Sequence, residues 1–517
     1  MTVAQRVQTD ESSAPTPRPA RLAVLRALFD RLHAENVRYC HWKSNEHLMA
    51  SFTGATDVDV LFDRRAIIPL TRILGATGFK RFVVKPGRGY PGIEDYVGFD
   101  EDTGALTHLH VHYQLTLGEK FLKGHHLPWE ELYLTSRVRD PEFDIYVADP
   151  HLELVVLLVR AALKLRARDR WKEAVGSRYI TGGMLRELSW LKARTERERL
   201  LETGSRLVGP AAAELIPELL DGTRPSVGRL GAFGRRIVPS LAEYRLFDAT
   251  ETARQMLTRE LGVVWWKVRN WYLHAPTRST RTVPQGGLTV AFLGADGAGK
   301  TTVTRQIADW LSREIAVVTT YGGSGKGSAS LSRRIMQRAG GLRRRLMGTT
   351  RPPARRVGDD PGGPSSAPPS LARLVWILAL SRERRRRARA ARRAKGLGMI
   401  VISDRFPQSQ FPGGNDGPRL TRWRENGPWV VRIAARREDE TFRLVELSPP
   451  DLVVKLHVTA ETASRRKPET PADQVRQGID VIRGLEFPPT TRVLDLDGEQ
   501  PLAQVVLQAK RALWETI

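Results

Sequence analysis

The residues with the clearest capacity for chemistry lie at 292–302, FLGADGAGKTT. Gly294, four further residues, and then Gly299, Lys300 and Thr301 follow an apolar run and open a stretch with helical spacing. Glycines let successive backbone N–H groups turn inward around phosphate oxygens, and the first turn of a following helix adds a partial positive charge. The spacing predicts a loop in which Gly294, Ala295, Asp296, Gly297, Ala298, Gly299, Lys300, Thr301 and Thr302 hold a nucleotide. Lys300 is expected to reach the β- and γ-phosphates and the Thr301 hydroxyl to bind Mg2+. ATP and Mg2+ are the cofactors that such a loop calls for.

Two further groups carry ionic chemistry. In MIVISDRF (399–406) an apolar run ends in Asp404 and Arg405. At the carboxyl edge of a parallel sheet, Asp404 is placed to hold Mg2+ through water and Arg405 to grip an anionic group with both guanidinium nitrogens. In the N-terminal part, Asp57 and Asp59 are separated by one residue on an alternating stretch, so they share a strand face and can hold a divalent ion against a triphosphate. His108, His110 and His112 share a strand face in the same way, as a polar face or as metal ligands. YGGSGKGS (321–328) resembles a second phosphate loop but has Thr320 where a glycine is required; it reads equally as an acceptor contact or as an ordinary turn.

The elements that must position these groups follow from periodicity. Residues 1–20 are polar and Pro-rich and are expected to be disordered. From 21 to 150 the pattern is mixed α/β, with RLAVLRALFDRLHAENV helical and DVDVLFD and THLHVHYQL alternating as strands. Residues 151–275 read as helical, and 276–287 as a linker. From 288 to 517 strands alternate with helices, which implies a parallel sheet covered on both faces. Residues 339–370 read as a mobile insertion, and a basic helix is expected from about 371 to 395. The fold class is therefore α/β: a parallel-sheet domain, an N-terminal α/β domain and a helical middle.

Composition bounds the partners. The chain has 517 residues, a single cysteine (Cys40) and a net charge of +25. That balance favours anionic partners, and one cysteine excludes an intramolecular disulfide or a multi-cysteine metal site. No apolar run approaches a membrane span, and the first residues lack a signal core, so a cytoplasmic location is expected. Trp265, Trp266, Trp271 and Tyr272 lie among Lys267 and Arg269; they read as an apolar seam between regions, with a stacking or membrane-surface helix as the alternative. The arginines of SRERRRRARAARRAKG (381–396) read mostly as solvated, with nucleic acid a less favoured partner than a phosphorylated small molecule.

GADGAGKTT, ISDRF and PDLVVKLHVTAETASRRK together resemble the thymidylate kinase family of phosphate-loop phosphotransferases, over residues 288–517. The resemblance implies ATP-dependent phosphoryl transfer to a nucleoside monophosphate, dTMP-like, or a related phosphorylated acceptor. It also implies Asp296 near the acceptor sugar, Arg405 on the acceptor phosphate, and Arg465 and Arg466 in a lid that neutralises charge. One arginine of the basic helix, Arg382 or Arg384, faces the acceptor in this reading. The chain departs from the family at His457, where a carboxylate is usual, and at YGGSGKGS. Residues 22–150 resemble the nucleotidyltransferase fold, with Ser44 ahead of Asp57 and Asp59 as candidate metal ligands, but His110 stands where a third acid is expected. This implies a domain that binds substrate or regulates. The alternatives left open are a nucleotide-gated binding protein, a bifunctional enzyme, and a homodimer as the assembly.

Overall fold

The computed structural model describes residues 21–84, 89–118, 122–165, 180, 182–222, 224–273, 280–323 and 368–517, with backbone alone at 263 and 266–273. The N-terminal tail, most of YGGSGKGS and nearly all of the 339–370 insertion therefore lie outside the described residues.

Strand β1 is Tyr39–His41, β2 Val58–Phe62, β3 Lys80–Phe82, β4 Ile93–Phe99, β5 Leu106–His112, β6 Leu115–Leu117, β7 His125–Leu127, β8 Val138–Asp140 and β9 Ile145–Val147. Seven of them form one sheet in the order β3-β4-β5-β2-β1-β9-β8, and β6 pairs β7 separately. Alternation sorts the residues of β2 and β5 between two faces. Val58, Val60, Phe62, Leu109 and Val111 enter the core under the helices Ala23–Ala34 and Ile67–Ala76. Asp57, Asp59, His108, His110 and His112 are thereby left on the opposite face, where the parallel register sets Asp59 beside His110.

The helices between Pro150 and Ser240 cover part of that opposite side, packing with Cys40, Trp42 and Leu61 in one core. Helix Pro150–Lys164 starts on Asp149, whose side chain accepts from the His151 and Leu152 N–H groups, with Pro150 in the first turn. Its run of Leu and Val is apolar all round, and Leu152 and Leu154 through Val159 are buried.

The C-terminal sheet contains β10 Thr289–Gly294, β11 Val317–Tyr321, β12 Ile400–Asp404, β13 Leu452–His457 and β14 Arg492–Asp497. All its pairings are parallel, in the order β11-β12-β10-β13-β14. Along β10, Val290 and Phe292 enter one core and Ala291 and Leu293 the other, as expected of a strand covered on both faces.

The two sheets share packing. Phe82, Val97, Phe99 and Leu106 join the core built by Trp310, Leu513 and Trp514. Within the stretch 276–287, Thr282 and Val83 exchange two backbone hydrogen bonds and Thr282 is buried. Of the aromatic residues expected to form a seam, Trp265 is 66% exposed, and Leu257, Leu261 and Val264 are exposed with it. The side chains of Trp266, Trp271 and Tyr272 lie outside the description.

Candidate functional site

Strand β10 delivers the loop to the centre of the parallel sheet, where its two neighbours β12 and β13 lead to opposite sides. Connections that diverge at such a point leave a crevice at the carboxyl edge. Gly299 caps helix Lys300–Ser312 in a left-handed conformation (φ 85°), and Gly297 has φ 92°. A Cβ on Gly297 would lie 2.4 Å from the Ala463 carbonyl oxygen, so this turn admits glycine alone.

Lys300 is 6% exposed and donates to the Ala295 carbonyl oxygen at 2.6 Å, folding over the loop. Burial, and then the nearby Arg405, push its ammonium down to about 8. Thr301 donates from Oγ1 to Asp404 Oδ2 at 2.9 Å. Asp404 Oδ1 is buried with no protein partner among the described residues. A hydroxyl and a carboxylate with one buried oxygen to spare, beside a phosphate loop, are donors that suit Mg2+, so the residues present fit the ion.

Asp296 is the hub of the crevice. Arg405 donates to its Oδ1, Lys467 lies 3.1 Å from its Oδ2 and Lys300 Nζ stands 4.0 Å away. Burial alone would raise the Asp296 carboxyl, but Arg405, Lys300 and Lys467 hold it down at about 2. Arg405 also reaches Asp416 Oδ2 at 3.4 Å, and the two carboxylates outweigh the effect of burial so that its guanidinium is held above its ordinary value. Its backbone has φ 72°, an unfavourable conformation for an arginine and one found at functional sites. Arg384 donates to the Asp416 carbonyl oxygen at 3.1 Å, and Arg387 to the Tyr321 carbonyl oxygen at 2.6 Å. A cavity of about 740 Å3 runs from Tyr321, Arg384 and Arg387 along the helix to Lys395, Thr289 and Asp451; Asp296, Lys300, Arg405 and Lys467 do not line it.

Several expected residues sit elsewhere. Arg382 is exposed on the outer side of helix Leu371–Gly396, and Arg384 two residues on is the buried one; a helix turns about 200° over two residues. Most arginines of the same helix are exposed as expected, Arg386, Arg389, Arg392 and Arg393 among them, whereas Arg385 is partly buried and bonds to Glu440. Arg465 and Arg466 are exposed and bond to the Thr462 hydroxyl and the Gly498 carbonyl oxygen; Lys467, next in sequence, is the cation that reaches Asp296. His457 pairs with Asp495 of β14 at 2.6 Å, so a carboxylate returns to that position from the neighbouring strand. Asp416 had no local signal, because it comes from an irregular loop.

In the N-terminal domain Asp57 pairs with His108 at 2.8 Å, and Asp59 with Lys43 at 2.8 Å, His110 at 3.1 Å and His112 at 3.3 Å. Asp95 and Arg281 extend the first group to Glu314, at the far end of the phosphate-loop helix. Lys43 was not anticipated; it adjoins Ser44 in WKSN and carries no motif of its own. Ser44 turns instead toward Glu187, at 3.3 Å.

No family model matches the chain. It is similar to the uncharacterized ATP-binding protein YghR of Escherichia coli strain K12, 27% identical over 248 residues, which is 47% of this chain and 94% of that protein. It is also similar to the uncharacterized ATP-binding protein YghS of the same strain, 27% identical over 225 residues, which is 43% of this chain and 91% of that protein. Among the described residues, no helix is long and apolar enough to cross a membrane.

Proposed function

We propose that residues 288–517 bind ATP and transfer its γ-phosphoryl group to a nucleoside monophosphate, dTMP or a related phosphorylated small molecule. The observation that carries this reading is the convergence of Lys300, Arg405 and Lys467 on Asp296 at the mouth of the phosphate loop. Three cations from three separate segments meet at the loop mouth, where Asp296 and Asp416 hold them in place, an arrangement suited to a donor and an acceptor phosphate brought together. The ATP-binding designation of the similar YghR and YghS supports the donor half.

In this mechanism the loop amides and Lys300 cradle the donor phosphates. Arg405 turns from Asp296 and Asp416 to orient the acceptor phosphate, and Asp296 is then free to accept a hydrogen bond from the acceptor sugar. An acceptor phosphate oxygen attacks the γ-phosphorus, the bond to the β–γ bridging oxygen breaks, and ADP leaves. Lys467 supplies positive charge where it develops on the transferring group. Thr301 and Asp404 would hold Mg2+, which neutralises charge on the donor phosphates. The compartment that goes with this chemistry is the cytoplasm.

The test is ADP formation against a panel of nucleoside monophosphates, dTMP included, and phosphorylated sugars. Acceptor-dependent release is expected, and Lys300→Ala should lower it by about 100-fold or more. Undiminished turnover in that variant refutes the reading. Tight ATP binding with no turnover on any acceptor would instead favour a nucleotide-gated binding protein.

A further inference from the structure

The N-terminal cleft holds a constellation that phosphoryl transfer does not use. Asp59 on β2 and His110 and His112 on β5 share one face of two hydrogen-bonded parallel strands. His110 Nδ1 lies 3.1 Å and His112 Nε2 3.3 Å from the same oxygen, Asp59 Oδ1. Donors bound at about 2.0–2.1 Å to a tetrahedral ion stand about 3.3 Å apart; the two histidine–carboxylate separations already match that spacing, and all three donor atoms lie within 4.8 Å of one another.

We propose that Asp59, His110 and His112 bind a late first-row divalent cation of the Zn2+ type. Two imidazoles and one carboxylate suit such ions, whereas Mg2+ favours an all-oxygen shell. Paired strands hold the donors rigidly, as a metal site requires. The His110 and Lys43 side chains are 22% and 19% exposed, which leaves the ion a path from solvent. Three protein donors also leave a position for water or an anionic ligand.

Lys43 gives the proposal its distinctive consequence. Its Nζ lies 2.8 Å from Asp59 Oδ1, the same oxygen that both imidazoles face. The ammonium is thus an internal cation in competition with the metal, and it must swing away on its flexible stem when the ion binds. A second histidine–carboxylate group among the described residues, Asp57, His108 and Glu314, holds its cation differently. Arg281 already stands 2.9 Å from His108 and 2.6 Å from Glu314, so a fixed guanidinium supplies the charge there.

The experiment uses the full chain, stripped with a chelator and titrated with Co2+ by visible absorption and with Zn2+ by calorimetry. One equivalent should bind in the presence of excess Mg2+, and His110→Asn with His112→Asn should weaken that binding by about 100-fold or more. Lys43→Met should tighten it by about tenfold, since the competing charge is gone. Wild-type protein that binds no more Co2+ than the double variant overturns the proposal. If the double variant does not fold, the Lys43→Met arm decides, and unchanged affinity overturns it. None of these readouts depends on kinase activity.

Discussion

Asp296 organises the crevice because a half-buried carboxylate needs positive charge and three cations supply it. The charges divide by role. In the proposed reaction Lys300 belongs to the loop that would hold the donor, while Arg405 and Lys467 come from separate strand and helix ends. Lys467→Ala should therefore raise the acceptor KM and lower kcat, together by about 10- to 100-fold, with ATP affinity kept within about twofold. Steady-state kinetics beside nucleotide calorimetry separate these effects, and an equal loss of ATP affinity would contradict the assignment. Part of this was legible in the chain itself. Lys300, Thr301 and Asp404 are local readings, fixed by a glycine spacing or by the end of an apolar strand. Of the two arginines named in the basic helix, Arg384 is the one that turns inward, and Lys467 rather than its neighbours Arg465 and Arg466 reaches Asp296, because a run of basic residues does not display which member faces inward.

At the scale of elements, the phosphate loop works only as a turn pressed against helix Ala460–Arg466, where Gly297 meets the Ala463 carbonyl oxygen. Gly297→Ala must shift that helix or open the loop. Nucleotide affinity should fall by about tenfold or more in calorimetry, while the fold, seen by circular dichroism, persists. Helix Pro150–Lys164 makes a different demand. Glu153 is buried within it and accepts from the Asn45 backbone N–H at 3.0 Å and side-chain amide at 2.6 Å. Burial pushes this carboxyl up to about 7 from an ordinary 4.5, against the lowering effect of Asn45. The folded state thus keeps a proton that the unfolded chain releases. Stability is highest below the unfolded value and declines as pH rises from about 4.5 to about 7, by on the order of 3 kcal/mol from this group. Glu153→Gln should flatten that decline in urea melts at pH 5 and pH 8; an unchanged slope would assign it to other groups.

Over the whole molecule, the two sheets are tied by a shared aromatic core and by an ionic chain. Phe99 meets Trp310 and Trp514 with ring centroids 5.8 and 5.9 Å apart. Arg281 joins Asp95 of the N-terminal sheet to Glu314 beyond the phosphate-loop helix. Trp514→Ala should cost about 3–5 kcal/mol and leave a cavity between the domains. Thermal unfolding would then separate into two transitions; one cooperative transition at the wild-type temperature would mean that the contact is not what couples them.

Sequence alone determined the α/β class, the buried strands, the phosphate loop and the faces of β2 and β5, because backbone geometry converts residue spacing directly into direction. Only the tertiary structure decided that Lys467, 171 positions away, meets Asp296, that Asp416 backs Arg405, that Lys43 occupies Asp59, and that Trp265 stays exposed rather than forming a seam. Which cation faces which carboxylate depends on segments folded together from distant parts of the chain, and charge pairing imposes no period that a linear sequence displays.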